Sequence, residues 1–130
     1  MRYINLLDKA SRVKTSNCFT YNNTIYFAVP RFQMSKAIGP NARNIKDMQD
    51  KLKKRIKIIQ EPEGIQDIRF FIQSIVEPTR FKSLELKDNI VTITAGGKQS
   101  KAALLGRNKQ RLEELKTIVD GVFQKDLLII

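Results

Sequence analysis

The sequence predicts an α+β fold in which one small unit occurs twice, each copy in the order helix, strand, strand, helix, helix, strand. Three observations predict it. Hydrophobic patterns of period 3.6 and period 2 follow one another in that order twice along the chain. A break in composition, Glu61-Pro62-Glu63-Gly64, reads as a linker between the copies and divides the chain into residues 1–61 and 62–130. The copies also register at an offset of 67: Gly39 with Gly106, Asn41 with Asn108, Ile45 with Leu112, Met48 with Leu115 and Leu52 with Val119. A repeat of about 65 residues is too long for the common helical solenoids, so two related small domains account for it better.

The first copy opens with Ile4, Leu7, Ala10, Ser11 and Val13, spaced for a short amphipathic helix over residues 2–14. The β-rich runs Asn17–Tyr21 and Thr24–Val29 flank Asn22-Asn23, a turn-forming pair that predicts a hairpin. Pro30 closes the second strand because it has no N–H for a ladder. Arg31–Ile38 is expected as a short helix with Phe32, Met34, Ala37 and Ile38 inward, broken by Gly39-Pro40. Asn41 is expected to cap a second helix running to about Lys53, with Ile45, Met48 and Leu52 on its inner face. Residues Arg55–Gln60 alternate Ile56 and Ile58 with polar positions, as a half-buried strand does.

The second copy repeats the order. Ile65, Ile68, Phe71, Ile72 and Ile75 mark a helix that Pro78 ends. Strands are expected over 81–86 and 89–94, joined by a tight turn at Lys87-Asp88-Asn89. Gly96-Gly97 punctuates, and Lys98–Leu105 is a short helix ending at Gly106. A helix over Asn108–Val122, with Leu112, Leu115, Ile118, Val119 and Val122 inward, and a strand over 126–130 complete the unit.

Composition removes most catalytic and metal chemistry. The chain has no histidine, and its single Cys18 has no disulfide partner within it. Cys18 beside Phe19 in a strand-like run is read as a small buried hydrophobe. Asp47/Asp50 and Glu113/Glu114 lie among lysines and arginines at helical spacing and read as solvated helix surface. The apolar stretches are too short to span a bilayer, and the N-terminus lacks the apolar run of a signal peptide, so a cytoplasmic protein is expected. No enzyme activity, cofactor, metal, membrane partner or small-molecule substrate is expected.

The net charge of +11 asks for a polyanionic partner. Its distribution is uneven. Residues 1–61 hold 13 Lys/Arg against 4 Asp/Glu, net +9, whereas residues 62–130 hold 11 against 9, net +2. In both copies a short helix ends at glycine, three residues intervene, and an amphipathic helix begins. A helix N-terminus presents unpaired N–H groups and a partial positive charge, and glycine lets a sugar-phosphate chain approach. Arg43, Lys46, Arg107, Lys109 and Arg111 would supply counter-charge there. A glycine in this place can also serve merely as a helix C-cap, but finding it in both copies favours a single-strand backbone clamp.

The segment Ala37-Ile38-Gly39-Pro40-Asn41-Ala42-Arg43-Asn44-Ile45-Lys46 resembles the hydrophobic–Gly-x-x-Gly-x-Asn-Ile-Lys signature of the prokaryotic, type II KH domain. Two such units making up essentially the whole chain resemble the archaeal NusA-like transcription termination and elongation factors. The resemblance implies tandem type II KH domains, each a three-stranded sheet with helices packed on one face. It also implies contact with single-stranded RNA. In the first copy the contacts would fall on Ile38, Gly39, Pro40, Asn41, Ala42, Arg43 and Lys46, and in the second on Gly106, Arg107, Asn108, Lys109 and Arg111. RNA polymerase is the candidate protein partner. The family loop carries a second glycine, where this sequence has Ala42 and Lys109; alanine is a mild change there if the backbone is helical. Pro40 also removes one N–H from the first loop.

Two competing readings remain open at this level. A helix-turn-helix DNA reader would fit Met34 to Lys54, but expects helical surroundings where strand-like runs stand. A protein-interaction adaptor docking on RNA polymerase or the ribosome, with little RNA contact, would suit the near-neutral second half. Phe19, Tyr21, Tyr26 and Phe27 alternate on strands and suit either core or base platform.

Overall fold

The computed structural model describes residues 7–9, 11–13, 15 and 17–130. The chain forms two compact units, Met1–Glu63 and Gly64–Ile130. Leu7, Asp8, Lys9 and Ser11 are helical, but the helix expected over 2–14 stops there: Arg12 is left-handed at φ 61° and Val13 is not helical, while residues 2–6, 10 and 14 lie outside the described residues.

In unit one, β1 (Asn17–Tyr21) and β2 (Thr24–Val29) form the hairpin, with Cys18 opposite Phe27 and Thr20 opposite Ile25. Asn22 and Asn23 take φ of 50° and 60°, the pair of left-handed residues that a two-residue turn needs and that asparagine tolerates. After α1 (Met34–Ile38) and α2 (Arg43–Leu52), β3 (Arg55–Gln60) returns beside β2 in parallel, placing Ile25 by Ile56 and Phe27 by Ile58. The sheet order is β1-β2-β3 with β2 central. Ile25, Phe27, Val29, Ile56 and Ile58 point one way and pack with Leu7, Val13, Ala37 and Met48. Cys18, Met34, Ile38, Ile45 and Leu52 close the margin of that core.

Unit two follows the same plan. The helix α3 (Ile68–Val76) is followed by the hairpin β4 (Ser83–Lys87) and β5 (Ile90–Thr94). Asp88 and Asn89 form its turn with φ of 52° and 65°. Then come α4 (Lys98–Leu105), α5 (Gln110–Phe123) and β6 (Asp126–Ile129), which pairs in parallel with β5. Phe71, Ile72, Ile75, Val91, Ile93, Leu104, Leu115, Val119 and Leu127 are buried.

The two sheets differ on their second faces. In unit one Tyr26, Ala28 and Ile59 are buried on the face opposite the helices, and Tyr26 stacks on Phe19 at 5.5 Å and meets Tyr21 edge-on at 6.5 Å. Lys57 lies over the Tyr26 ring. Tyr21, Tyr26 and Phe27 are therefore packed residues, unsuited to act as base platforms. In unit two the equivalent face carries exposed Glu85 and Leu128 with half-buried Thr92.

Several expected details change. Phe32 does not point inward: it is 83% exposed. Residues Arg31–Gln33 form a 3₁₀ turn before α1, and with Met34, Ala37 and Ile38 facing the core, a residue two positions before Met34 falls on the opposite side. Ile65 likewise sits in a 3₁₀ turn, Ile65–Asp67, and is exposed. Asn41 is not a helix cap; α2 begins two residues later, at Arg43, and no side chain caps it. The helix expected from Asn108 starts at Gln110 for the same reason.

Candidate nucleic-acid interface

The segment between α1 and α2 and the segment between α4 and α5 have the same backbone. Gly39 lies at φ/ψ 80°/167° and Gly106 at 73°/174°. Asn41 and Asn108 lie at 54°/32° and 54°/30°, and Ala42 and Lys109 at 59°/30° and 59°/26°. Their hydrogen bonds match as well. The glycine N–H donates to the carbonyl four residues back, Gly39 to Ser35 and Gly106 to Ala102, each at 2.9 Å. The N–H three residues on donates to the glycine carbonyl, Ala42 to Gly39 and Lys109 to Gly106, each at 3.1 Å. The position of the family's second glycine is thus left-handed, not helical, so alanine there is not a mild change. It holds a conformation that costs a residue with a side chain about 1–2 kcal/mol.

Only glycine suits the first position. Its φ/ψ belongs to a region reserved almost entirely to glycine. A Cβ on Gly39 would lie 2.9 Å from Asn44 Nδ2 and 3.2 Å from the Asn44 backbone nitrogen. On Gly106 it would lie 2.4 Å from Arg111 Cγ and 2.9 Å from the Arg111 backbone nitrogen. The glycine caps its helix, as the plain structural reading holds, and it also lets the following helix start almost in contact with it. Asn44 Nδ2–H donates to the Lys36 carbonyl at 3.1 Å, which ties α2 back to α1. Gln49 Oε1 accepts the Ile56 N–H at 3.1 Å and ties α2 to β3.

Around this frame the side chains diverge. In unit one Pro40, Asn41, Arg43 and Lys46 are exposed, while Gly39 and Ala42 are half-buried and Ile38 packs against the core. In unit two Arg107, Asn108 and Lys109 are exposed. Arg111, the counterpart of Asn44, is half-buried with its Nε 3.0 Å from Glu114 Oε1. Lys46 of unit one is matched by Glu113, and Asp47 by Glu114, so α5 brings acid into its first turn where α2 brings a cation. Not every N–H is offered outward: Arg43 donates to the Pro40 carbonyl, and Ala42 to Gly39.

Sequence reasoning passed over Arg31 and Lys36, both exposed ahead of the first turn. The signal was available: between Asp8 and Asp47 the chain has no carboxylate side chain, while Lys9, Arg12, Lys14, Arg31, Lys36, Arg43 and Lys46 all fall there. Burial pushes the Cys18 thiol up to about 11, which fits its place at the edge of the core. Among the described residues no group of three or more His, Cys, Asp or Glu side chains is placed to hold a metal, and no helix is long and apolar enough to cross a membrane.

The architecture is therefore a tandem of two α+β units, each with a mixed three-stranded sheet, consistent with KH-like domains. No protein-family model matches the sequence. The chain is 19% identical over 128 residues to the probable transcription termination protein NusA of Halococcus morrhuae, covering 97% of this chain and 90% of that protein. Its fold is similar to the crystal structure of APE1850, with a TM-score of 0.69 and 20% identity over 99% of this chain and 96% of that one.

Proposed function

We propose that the protein is a cytoplasmic RNA-binding factor of transcription termination or elongation, and that it holds single-stranded RNA without performing chemistry on it. The observation that carries the reading is the doubled turn: one strained backbone conformation, built at the same place in both units and followed each time by a helix N-terminus and exposed cations. The whole-chain similarity to a probable transcription termination protein supports the same direction. Phosphates would lie at the Gly39–Ala42 turn against Arg43 and Lys46, and at the Gly106–Lys109 turn against Arg107 and Lys109. Bases would face the groove between α2 and β3 and its counterpart in unit two.

A filter-binding titration of single-stranded RNA across salt concentrations tests the proposal. The logarithm of affinity should fall linearly with the logarithm of salt, with a slope of about −0.7 per phosphate neutralised. Failure to bind RNA even at low salt would refute it. One observation favours a second role for unit two: its Arg111 is held by Glu114 and its Lys46 counterpart is Glu113. That unit is the better candidate for docking on RNA polymerase, as an adaptor would.

A further inference from the structure

Phe32 has a position that the core does not explain. It is 83% exposed, whereas Phe27 and Phe71 are fully buried. The face of α1 that carries Met34, Ala37 and Ile38 packs inward; Ser35 and Lys36 are exposed on its other side, and Phe32, in the 3₁₀ turn that leads into α1, is exposed ahead of them. At about 2 Å per residue through the 3₁₀ turn and about 1.5 Å through α1, Phe32 lies roughly 10–12 Å along the chain from Gly39. A stacked strand rises about 3.4 Å per nucleotide, so this reach is about three nucleotides. Exposed Arg31 and Lys36 flank the ring, within the stretch that has no carboxylate side chain. The second copy has Gln99 at the matching position, so the repeat itself does not require an aromatic there.

We propose that Phe32 is a base-stacking platform for single-stranded RNA, carrying a nucleobase at the end of the segment that the Gly39 turn holds. This rests on the RNA-binding reading above. A loop of this kind clamps about four nucleotides, and a ring three nucleotides from its glycine meets the last of them or the next. Every base has a π-face, so the platform accepts any sequence, while Arg31 and Lys36 are placed for the phosphates on either side. A protein-docking anchor is expected beside other apolar side chains with few lysines near it; the exposed residues nearest Phe32 in sequence are Arg31, Ser35 and Lys36.

The test uses the full chain with short single-stranded oligouridylate and oligoadenylate, comparing Phe32→Ala, Phe32→Leu and Phe32→Trp. Alanine and leucine should each weaken binding about 5-fold or more, the low end of base–aromatic stacking, with the salt slope unchanged because no phosphate contact is lost. Tryptophan should retain affinity. As the only tryptophan in the chain, it should be quenched when RNA is added. Thermal melting should be the same for all variants, since the ring is outside the core. If Phe32→Ala binds as tightly as the unaltered protein while Arg43→Ala with Lys46→Ala is weakened, stacking is wrong and the RNA reading stands. Loss of RNA polymerase binding with RNA affinity intact would also overturn the platform. If the unaltered protein binds no RNA at low salt, both readings fall together.

Discussion

Replacing Ala42 by glycine separates the conformation of the first turn from its chemistry. Ala42 is held at φ 59°, ψ 30° with no side-chain hydrogen bond to compensate. A left-handed residue with a Cβ costs about 1–2 kcal/mol. Glycine removes that cost but gains freedom in the unfolded chain, which returns about 0.4–1 kcal/mol. The net expectation is a stabilisation of about 0.5–1 kcal/mol. For a domain of this size that raises the melting temperature by about 3–6 °C. Ala102→Gly is the control. Ala102 is exposed within α4, where the same chemical change should destabilise by about 0.5–1 kcal/mol. Circular-dichroism melts and urea midpoints measure both, and opposite signs are required. If Ala42→Gly destabilises as Ala102→Gly does, the turn is not left-handed and the likeness of the two loops is lost. RNA affinity should hold or rise in Ala42→Gly, because no charge or N–H is removed.

Two further outcomes follow from the side chains. Arg43→Ala with Lys46→Ala should lower RNA affinity about tenfold and reduce the salt slope by about 1.4, two phosphates' worth. Arg107→Ala with Lys109→Ala should do less, since Glu113 and Glu114 already temper that turn; the reverse ranking in the same titration would make the second turn the working clamp. Burial pushes the Cys18 thiol from its ordinary 9.0 up to about 11, so a disulfide reagent at pH 8 should label the native protein on the order of 100-fold more slowly than the unfolded one. Because the folded state holds that proton more tightly, its contribution to stability is present below pH 9.0 and lost as the pH rises through about 11. Equal labelling rates, or an alkaline stability profile that Cys18→Ala leaves unchanged, would contradict this placement.

From β1 onward the element order was legible, most clearly where an element is written in two independent ways. The β1–β2 hairpin has both its alternating apolar residues and Asn22-Asn23; α2 has both Ile45, Met48 and Leu52 and the matching Leu112, Leu115 and Val119 of α5. What escaped was phase within short segments. Phe32 is apolar and next to a helix, and nothing local says that a 3₁₀ turn rotates it into solvent. The salt partner of Arg111 lies three residues away and was readable, but an arginine in a basic window is more easily counted than paired.

The handedness of the turn was illegible for a deeper reason. Alanine and lysine are both good helix formers, so propensity assigns Ala42 and Lys109 to the helices that follow them. Only Asn41 and Asn108, which tolerate the left-handed region, carried a local hint. Yet two different side chains, one bare and one charged, adopt the same backbone within a few degrees. The conformation therefore cannot come from either side chain. It comes from the shared requirement that two helices, anchored in the core by Ala37 and Met48 in one unit and by Leu104 and Leu115 in the other, be joined across four residues. That leaves the side chain at this position free to differ. On the proposed reading, the two units then differ as RNA ligands by charge and by Phe32, on a backbone that is the same in both.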